Sequence, residues 1–233
     1  MKTLNILGGG AAQGLVAALA PELKARTGFE IAGEFGAVGA MADKLRGGTP
    51  ADIVILTAAL VAKLAEERLV VPSSIADVGL VETAIAVRAG DPQVSVKDAA
   101  SLRAALLETD AIFVPDTKAS TAGIHVAKVL AHLGISDAVA ERLKIYPNGA
   151  TAMRHLAASD AARPIGCTQS TEIIATKGIV LSGPLPPGCE LKTMYTAAIT
   201  TPAANAEPAQ MLIDLLTSVD VDELRARAGF VSG

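Results

Sequence analysis

Three consecutive glycines near the N-terminus, Gly8 to Gly10, stand where a predicted strand passes into a predicted helix. A mostly apolar stretch at residues 4–7 precedes them, and leucines at four-residue spacing follow them. The first N–H groups of a helix have no partner within the helix and lie at its positive end, so they favour an anion. The pattern predicts an anion site on the backbone of Gly9, Gly10, Ala11 and Ala12. The alternative is a tight strand-to-helix turn without a ligand.

Further hydrogen-bond donors occur at the starts of other predicted helices. They are the backbones of Val38, Gly39 and Ala122, the hydroxyls of Ser120 and Thr121, the amides of Asn148 and Gln169, and the cations Lys118 and Arg154. A small polycarboxylate can place separate anionic groups on separate helix starts, and a cation strengthens such hydrogen bonds. The set therefore favours an organic acid as the ligand. Two alternatives stay open: Lys118 and Arg154 as solvated surface charges, and Ser120 as a simple helix cap.

The composition narrows the functional classes. Of the 233 residues, 51% are hydrophobic and 19% are charged, which is enough apolar sequence to bury a large core. The net charge of −4 and the aromatic content of 3% argue against a nucleic-acid-binding surface. The sequence has neither a Walker A loop nor a dinucleotide fingerprint, and its two cysteines lack metal-site spacing. We expect a globular protein without cofactor or metal, whose partner is a small anionic ligand.

The sequence also bears on membranes and location. No apolar stretch is long enough for a membrane span, so we expect no membrane insertion. The first residues enter the first strand directly, without room for a signal core and a cleavage site. This predicts a cytoplasmic protein, whereas a leader removed from a longer natural chain would predict a periplasmic one.

Strands and helices alternate along the chain, which indicates an α/β protein with mostly parallel sheets. Strands are predicted at residues 4–7, 29–35, 53–56, 83–87, 112–114, 165–168 and 192–199. After a first helix that carries Leu15, Leu19 and Leu23, helices are predicted at residues 37–46, 58–67, 102–107, 122–133, 137–143, 150–157, 171–176, 206–217 and 220–228. Pro21 is predicted to kink or restart the first helix.

Five short motifs occur in a definite order along the chain. They are Gly8 to Leu15, Phe35 to Met41, Pro-Ala-Asp at residues 50–52, Ser-Thr-Ala-Gly-Ile at 120–124 and Pro-Ile-Gly-Cys-Thr-Gln-Ser at 164–170. In this order they resemble the periplasmic molybdate-binding proteins and their wider relatives. The resemblance covers nearly the whole chain and implies the two-lobed type II periplasmic-binding-protein fold, with the ligand in a cleft between the lobes. One lobe would comprise residues 1–82 and 193–233, and the other residues 83–192.

The same resemblance argues against molybdate as the ligand. Family members that bind this oxyanion use serine hydroxyls after the first and second strands, an alanine backbone at a later helix start and a tyrosine. Here the first serine position is Gly10, the serine-rich loop is residues 37–40, and the tyrosine position is Gln169; only the Ala122 position matches. A dehydrated oxyanion must recover its hydrogen bonds from the site, so the loss of these donors predicts another ligand.

Among the wider relatives are signal-less members that isomerise unsaturated tricarboxylates such as aconitate. Residues 10–15 and 120–125 resemble that branch more than the transport receptors. The reaction needs a group that removes a proton from carbon and one that returns it. His125, Glu172 and His155 are the candidates, and the alternative for each is a packed or solvated side chain. Two binding functions compete with the enzyme: a transport receptor of the molybdate type, with an ABC permease as partner, and a cytoplasmic ligand sensor.

Overall fold

The computed structural model describes residues 2–231, which fold into two compact units. Unit 1 runs up to Leu80 and resumes at Thr193, and unit 2 comprises Val81–Lys192. The chain passes between the units twice, within strand β4 (Ala76–Arg88) and at the start of strand β9 (Lys192–Ile199). Each unit packs helices against a mixed sheet, so the predicted α/β class is confirmed.

Unit 1 contains a four-strand segment of sheet in the order β2-β1-β3-β9. β1 (Lys2–Gly9) is parallel to β2 (Phe29–Gly36) and β3 (Ile53–Thr57), and β9 is antiparallel to β3. β3 is apolar up to its last residue and buried throughout, as expected for a central strand covered on both faces. The helices of this unit are α1 (Gln13–Thr27), α2 (Val38–Arg46), α3 (Ala58–Glu66), α9 (Ala206–Thr217) and α10 (Asp222–Arg227), and β10 (Phe230–Val231) pairs with β4.

A buried carboxylate ties distant parts of unit 1 together. Asp52, in the turn before β3, is 1% exposed. Its side chain accepts hydrogen bonds from the backbone N–H groups of Asn5 (2.8 Å) and Asn205 (2.9 Å), and from Asn205 Nδ2 (3.2 Å). Asp52 therefore joins β1, the turn before β3 and the start of α9, although Asn205 lies 153 residues further along the chain.

Unit 2 contains strands in the order β4-β7-β5-β6, with β8 pairing on β4. β5 (Ala111–Pro115) is parallel to β6 (Leu143–Tyr146) and β7 (Pro164–Gln169), whereas β7 and β8 (Ile179–Pro184) are antiparallel to β4. One core cluster contains Ile85 and Cys167, and another contains Ala84 and Ala86 on the opposite face of β4. The helices are α4 (Ala99–Glu108), α5 (Thr121–His132), α6 (Ser136–Val139), α7 (Gly149–Ala157) and α8 (Ser170–Ala175).

Two strands of unit 2 lie where no strand is predicted. β6 and a 3-10 turn at Ala140–Arg142 follow the single turn of α6, where a helix over residues 137–143 is predicted. β8 also lies outside the predicted strands. Every residue of β6 and β8 is at least partly exposed, and β6 ends the strand order. Such strands carry a weaker hydrophobic pattern than central strands, which explains why the pattern did not reveal them.

The region of Gly8 and Pro21 also differs from prediction. Gly8 and Gly9 belong to β1, and a 3-10 turn at Gly10–Ala12 leads into α1. α1 continues through Pro21, so the predicted restart of the helix is wrong. Proline removes the hydrogen bond that its N–H would donate to the carbonyl of Ala17, but both residues are exposed, so water can satisfy that carbonyl. Among residues 2–231, no helix combines the length and the apolar character needed to cross a bilayer.

Candidate functional site

The glycine run of unit 1 is shaped by close packing. A methyl group on Gly8 would lie 2.5 Å from the Phe35 ring. On Gly9 it would lie 2.7 Å from Val38 Cγ1 and 2.8 Å from Tyr195 Cε1. These neighbours account for glycine at positions 8 and 9 without a ligand. Gly10 is partly exposed at the start of the 3-10 turn, and the backbone anion site over residues 9–12 stays a prediction.

The second donor set of unit 1 forms the first turn of α2. Val38 is buried and Gly39 is partly exposed. Ala37 occupies the N-cap position with an extended backbone, and it provides no side-chain acceptor for the first N–H groups of the helix. The predicted donors Val38 and Gly39 therefore lie at an uncapped helix start.

In unit 2, the start of α5 is held in place by the turn before it. The Asp116 carboxylate accepts hydrogen bonds from the backbone N–H groups of Lys118 (2.7 Å) and Ala119 (3.0 Å). A methyl group on Gly123 would lie 2.2 Å from the Asp116 carbonyl oxygen, so glycine allows the helix start to press against this turn. Turn formation thus accounts for Asp116, and close packing accounts for the glycine of the motif at residues 120–124.

Ser120 is the N-cap residue of α5, yet its side chain makes no capping hydrogen bond. The residue is 9% exposed. The first N–H groups of α5 therefore receive no acceptor from Ser120, in contrast to the simple cap considered above. Ala122 is buried, Thr121 is partly exposed, and Lys118 is exposed as the surface-charge alternative requires.

The end of β7 places polar side chains in the interior of unit 2. Gln169 is 3% exposed, and neither atom of its side-chain amide has a hydrogen-bond partner among residues 2–231. Within the same described range, the hydroxyls of Thr171 and Thr83 are also buried without partners. Thr83 and Gln169 lie opposite each other in the β4–β7 pair. Thr83 was not among the residues predicted for the site. The feature that could have indicated it is a polar residue at the start of the otherwise apolar run 83–87.

Glu172 is a buried acceptor that joins α8 to the start of α7. Its Oε2 accepts a hydrogen bond from the Thr168 hydroxyl at 2.6 Å, and backbone N–H groups of Gly149, Ala150 and Gln169 also donate to the carboxylate. Burial raises the pKa of Glu172, and these hydrogen bonds oppose the rise. A methyl group on Gly149 would lie 1.9 Å from Glu172 Oε2, so the close approach of the carboxylate requires glycine there.

His125 lies one turn after Thr121 on α5 and is partly exposed. Its Nε2 lies 2.8 Å from the carbonyl oxygen of Cys189. A carbonyl oxygen only accepts, so Nε2 carries the hydrogen in this bond. In the neutral ring, Nδ1 is then the atom able to accept a proton.

The predicted residues of α7 have local partners. Asn148 caps the helix, because its Oδ1 accepts the Thr151 N–H at 2.8 Å. Arg154 is exposed and donates to the Thr151 hydroxyl at 2.9 Å. His155 is exposed and stacks on Tyr146, with ring centroids 4.2 Å apart. A contact with a bound ligand or substrate remains a prediction for all three.

The loop at residues 185–191 connects several candidates. Cys189 accepts the hydrogen bond from His125, and Leu191 accepts one from the Thr83 N–H at 2.9 Å. The Thr83 carbonyl in turn accepts from the Leu185 N–H at 3.0 Å. The structure thus links α5, this loop and the Thr83–Gln169 pair within unit 2.

Both cysteines are buried thiols without a disulfide. Burial raises the pKa of Cys167 to about 12, so this thiol stays protonated near neutral pH. Within residues 2–231, no group of three or more His, Cys, Asp and Glu side chains has an arrangement that could hold a metal ion.

The protein therefore has two α/β units, and each contains a helix, α2 or α5, that begins without a side-chain cap. The chain belongs to the bacterial extracellular solute-binding protein family, whose sequence profile matches residues 4–231. It is also similar to aconitate isomerase from a Pseudomonas species, with 26% identity over 229 residues, covering 94% of this chain and 83% of that protein.

Solved structures share the fold. The periplasmic molybdate-binding protein of Azotobacter vinelandii is 18% identical with a TM-score of 0.83, and 99% of each chain is covered. The sulfate-binding protein SubI of Mycobacterium tuberculosis is 19% identical with a TM-score of 0.71, covering 99% of this chain and 86% of that one. These similarities confirm the predicted two-lobed type II periplasmic-binding-protein fold.

Proposed function

We propose that this solute-binding protein takes a small organic polycarboxylate. The start of α5 carries the proposal: Ser120 is buried there, and it leaves the first N–H groups of the helix without a side-chain acceptor. A helix start in this condition favours an anion, and the hydroxyls of Ser120 and Thr121 are further donors beside it.

The side chains present favour a carboxylate over a tetrahedral metal oxyanion. Gly10 and residues 37–40 have no side-chain hydroxyl to donate, and Gln169 provides a neutral amide. An oxyanion such as molybdate needs many donors around one centre to replace its hydration, whereas a polycarboxylate distributes its charge over separate groups. The similarity to aconitate isomerase supports the same class of ligand, because aconitate is a tricarboxylate.

Replacing both Ser120 and Thr121 by alanine tests the role of this helix start. Each hydrogen bond to a charged group contributes about 1.5–3 kcal/mol, so the loss of two should weaken binding by about a hundredfold or more, with a smaller effect on stability. The measurement is calorimetric titration with the tightest-binding of citrate, cis-aconitate and trans-aconitate.

Ser218→Ala is the matched control, because the Ser218 hydroxyl does cap a turn by accepting from the Asp220 N–H at 3.1 Å. This control should lower stability slightly and leave the dissociation constant unchanged. An unchanged dissociation constant in the double variant, together with a lowered unfolding temperature, would show that Ser120 and Thr121 act only in folding.

A second candidate function is isomerisation of aconitate. It is supported by the similarity to aconitate isomerase and by His125, whose Nε2–H is held by Cys189 so that Nδ1 is the basic atom. In the reaction a base removes a proton from the carbon beside the double bond, the double bond shifts by one position, and a proton returns to the carbon at its other end.

In deuterated buffer, an isomerase should interconvert cis- and trans-aconitate and place deuterium on the allylic carbon. We expect His125→Ala to abolish this turnover while retaining binding, and Glu172→Gln and His155→Ala are tested next. Full turnover by all three variants would exclude these side chains as the base. A native protein that binds a tricarboxylate without interconverting the isomers would be a binding protein only.

If the protein binds the polycarboxylate without converting it, it would act as a transport receptor. Membership of the extracellular solute-binding family supports it, and an ABC permease would then be the partner. This function requires export to the periplasm. Detection of the native protein in a periplasmic fraction would favour the receptor.

A further inference from the structure

Three buried side chains of unit 2 have hydrogen-bonding atoms for which residues 2–231 provide no partner. These atoms are the hydroxyls of Thr83 and Thr171 and both side-chain amide atoms of Gln169. The residues are only 1%, 3% and 3% exposed, in that order. A buried polar atom without a partner has lost its hydrogen bonds to water and gained none in return, so such atoms are rare in folded proteins unless a bound group satisfies them.

The three side chains are close neighbours in the fold. Thr83 and Gln169 lie directly opposite in the antiparallel β4–β7 pair, so their side chains project from the same face of the sheet. Ile85 and Cys167, two residues away on the two strands, share one core cluster and thus confirm the common face. Thr171 follows Gln169 by two residues, at the start of α8.

Both backbone groups of Thr83 form hydrogen bonds within unit 2. Its N–H donates to Leu191 and its carbonyl accepts from Leu185, so the loop at residues 185–191 holds this residue in place from two sides. The hydroxyl has no such structural bond. Thr83 is therefore a well-positioned residue whose side chain contributes no hydrogen bond to the fold of residues 2–231.

The chemistry of these atoms selects a particular kind of group. None of the three side chains is charged; Gln169 Nε2 and the two hydroxyls donate, whereas Gln169 Oε1 only accepts. A carboxylate is ionised at neutral pH and only accepts, so it would satisfy the donors and leave Oε1 unpaired. An alcohol hydroxyl both donates and accepts, so it can bond to Oε1 and to a neighbouring donor at once.

We propose that Thr83, Gln169 and Thr171 form a subsite for an alcohol hydroxyl, which makes the ligand a hydroxy-polycarboxylate. This inference rests on the proposed function, in which the start of α5 takes a carboxylate group. The His125–Cys189 bond and the loop at residues 185–191 connect that helix to Thr83. A hydroxy acid should therefore bind more tightly than aconitate, which has no hydroxyl.

Two matched pairs of acids test the subsite by calorimetric titration. Citrate and tricarballylate differ by one hydroxyl on the same carbon skeleton, and so do malate and succinate. We expect the hydroxy acid of at least one pair to bind more tightly than its partner, by on the order of tenfold or more. The acid without the hydroxyl would leave buried hydrogen-bonding atoms of the subsite unsatisfied, which weakens its binding. Equal affinities within both pairs would overturn the subsite alone. Failure of all four acids and of aconitate to bind would overturn the proposed function, and the subsite with it.

The variants Thr83→Val and Gln169→Met separate ligand recognition from folding. Both remove hydrogen-bonding atoms that have no partner in the described residues, so the unfolding temperature of the ligand-free protein should not fall. The affinity ratio within the discriminating pair should fall towards one.

Thr109→Val is the matched control, because the buried Thr109 hydroxyl donates to the carbonyls of Ala111 and Arg163. This control should lower the unfolding temperature and keep the affinity ratio. A native ratio in both Thr83→Val and Gln169→Met would overturn the proposal.

Discussion

Replacing Asp52 by alanine is expected to lower the free energy of unfolding by about 3–5 kcal/mol. The carboxylate is 1% exposed and accepts hydrogen bonds from two backbone N–H groups and from the Asn205 side chain. Alanine would leave these donors without their acceptor in the interior, which carries a larger penalty than the loss of an exposed contact. The effect should be large because Asp52 joins segments of unit 1 that are far apart in the sequence.

Urea unfolding followed by circular dichroism measures this effect. Asp43→Ala is the control: the Asp43 side chain is 75% exposed, its partner is Arg46, and exposed ion pairs contribute little. We expect the control to change stability by no more than about 0.5 kcal/mol. A loss in Asp52→Ala no greater than in the control would contradict the role assigned to Asp52.

The order of elements in this fold was predictable because most of them carry a strong local pattern. β3 is a run of apolar residues ending in Thr57, and α1 repeats leucine every four residues. The exposed strand β6 carries no such pattern, and only its pairing with β5 defines it. Pro21 misled the prediction for a related reason: its effect depends on whether water reaches the Ala17 carbonyl, which is a property of the folded surface.

The candidate site was predictable in part. Ser120, Thr121 and Gln169 could be identified from motifs that mark the ends of strands and the starts of helices. The need for glycine at position 149 could not be predicted, because it arises from contact with the Glu172 carboxylate, 23 residues further along the chain. Thr83 was missed for the same kind of reason, since its position opposite Gln169 arises from a register between distant strands.

Ligand preference is the second large effect that we expect. At the positions that the sequence resemblance assigns to the molybdate-binding hydroxyls and tyrosine, this chain has Gly10, residues 37–40 and Gln169. At the neighbouring position 9, Val38 and Tyr195 leave no room for a side chain. A serine there could therefore not replace the hydroxyl that is missing at Gly10. The buried donors of unit 2 are neutral side chains and a helix start, which suit hydroxyl and carboxylate groups.

Calorimetric titration of one protein preparation with molybdate and, separately, with citrate, malate and aconitate tests the central claim most directly. We expect at least one of the organic acids to bind about a hundredfold or more tightly than molybdate, a difference of about 2.7 kcal/mol in binding free energy. Molybdate binding with a dissociation constant below about 1 μM, together with no measurable binding of the organic acids, would contradict the assignment of this protein to polycarboxylates.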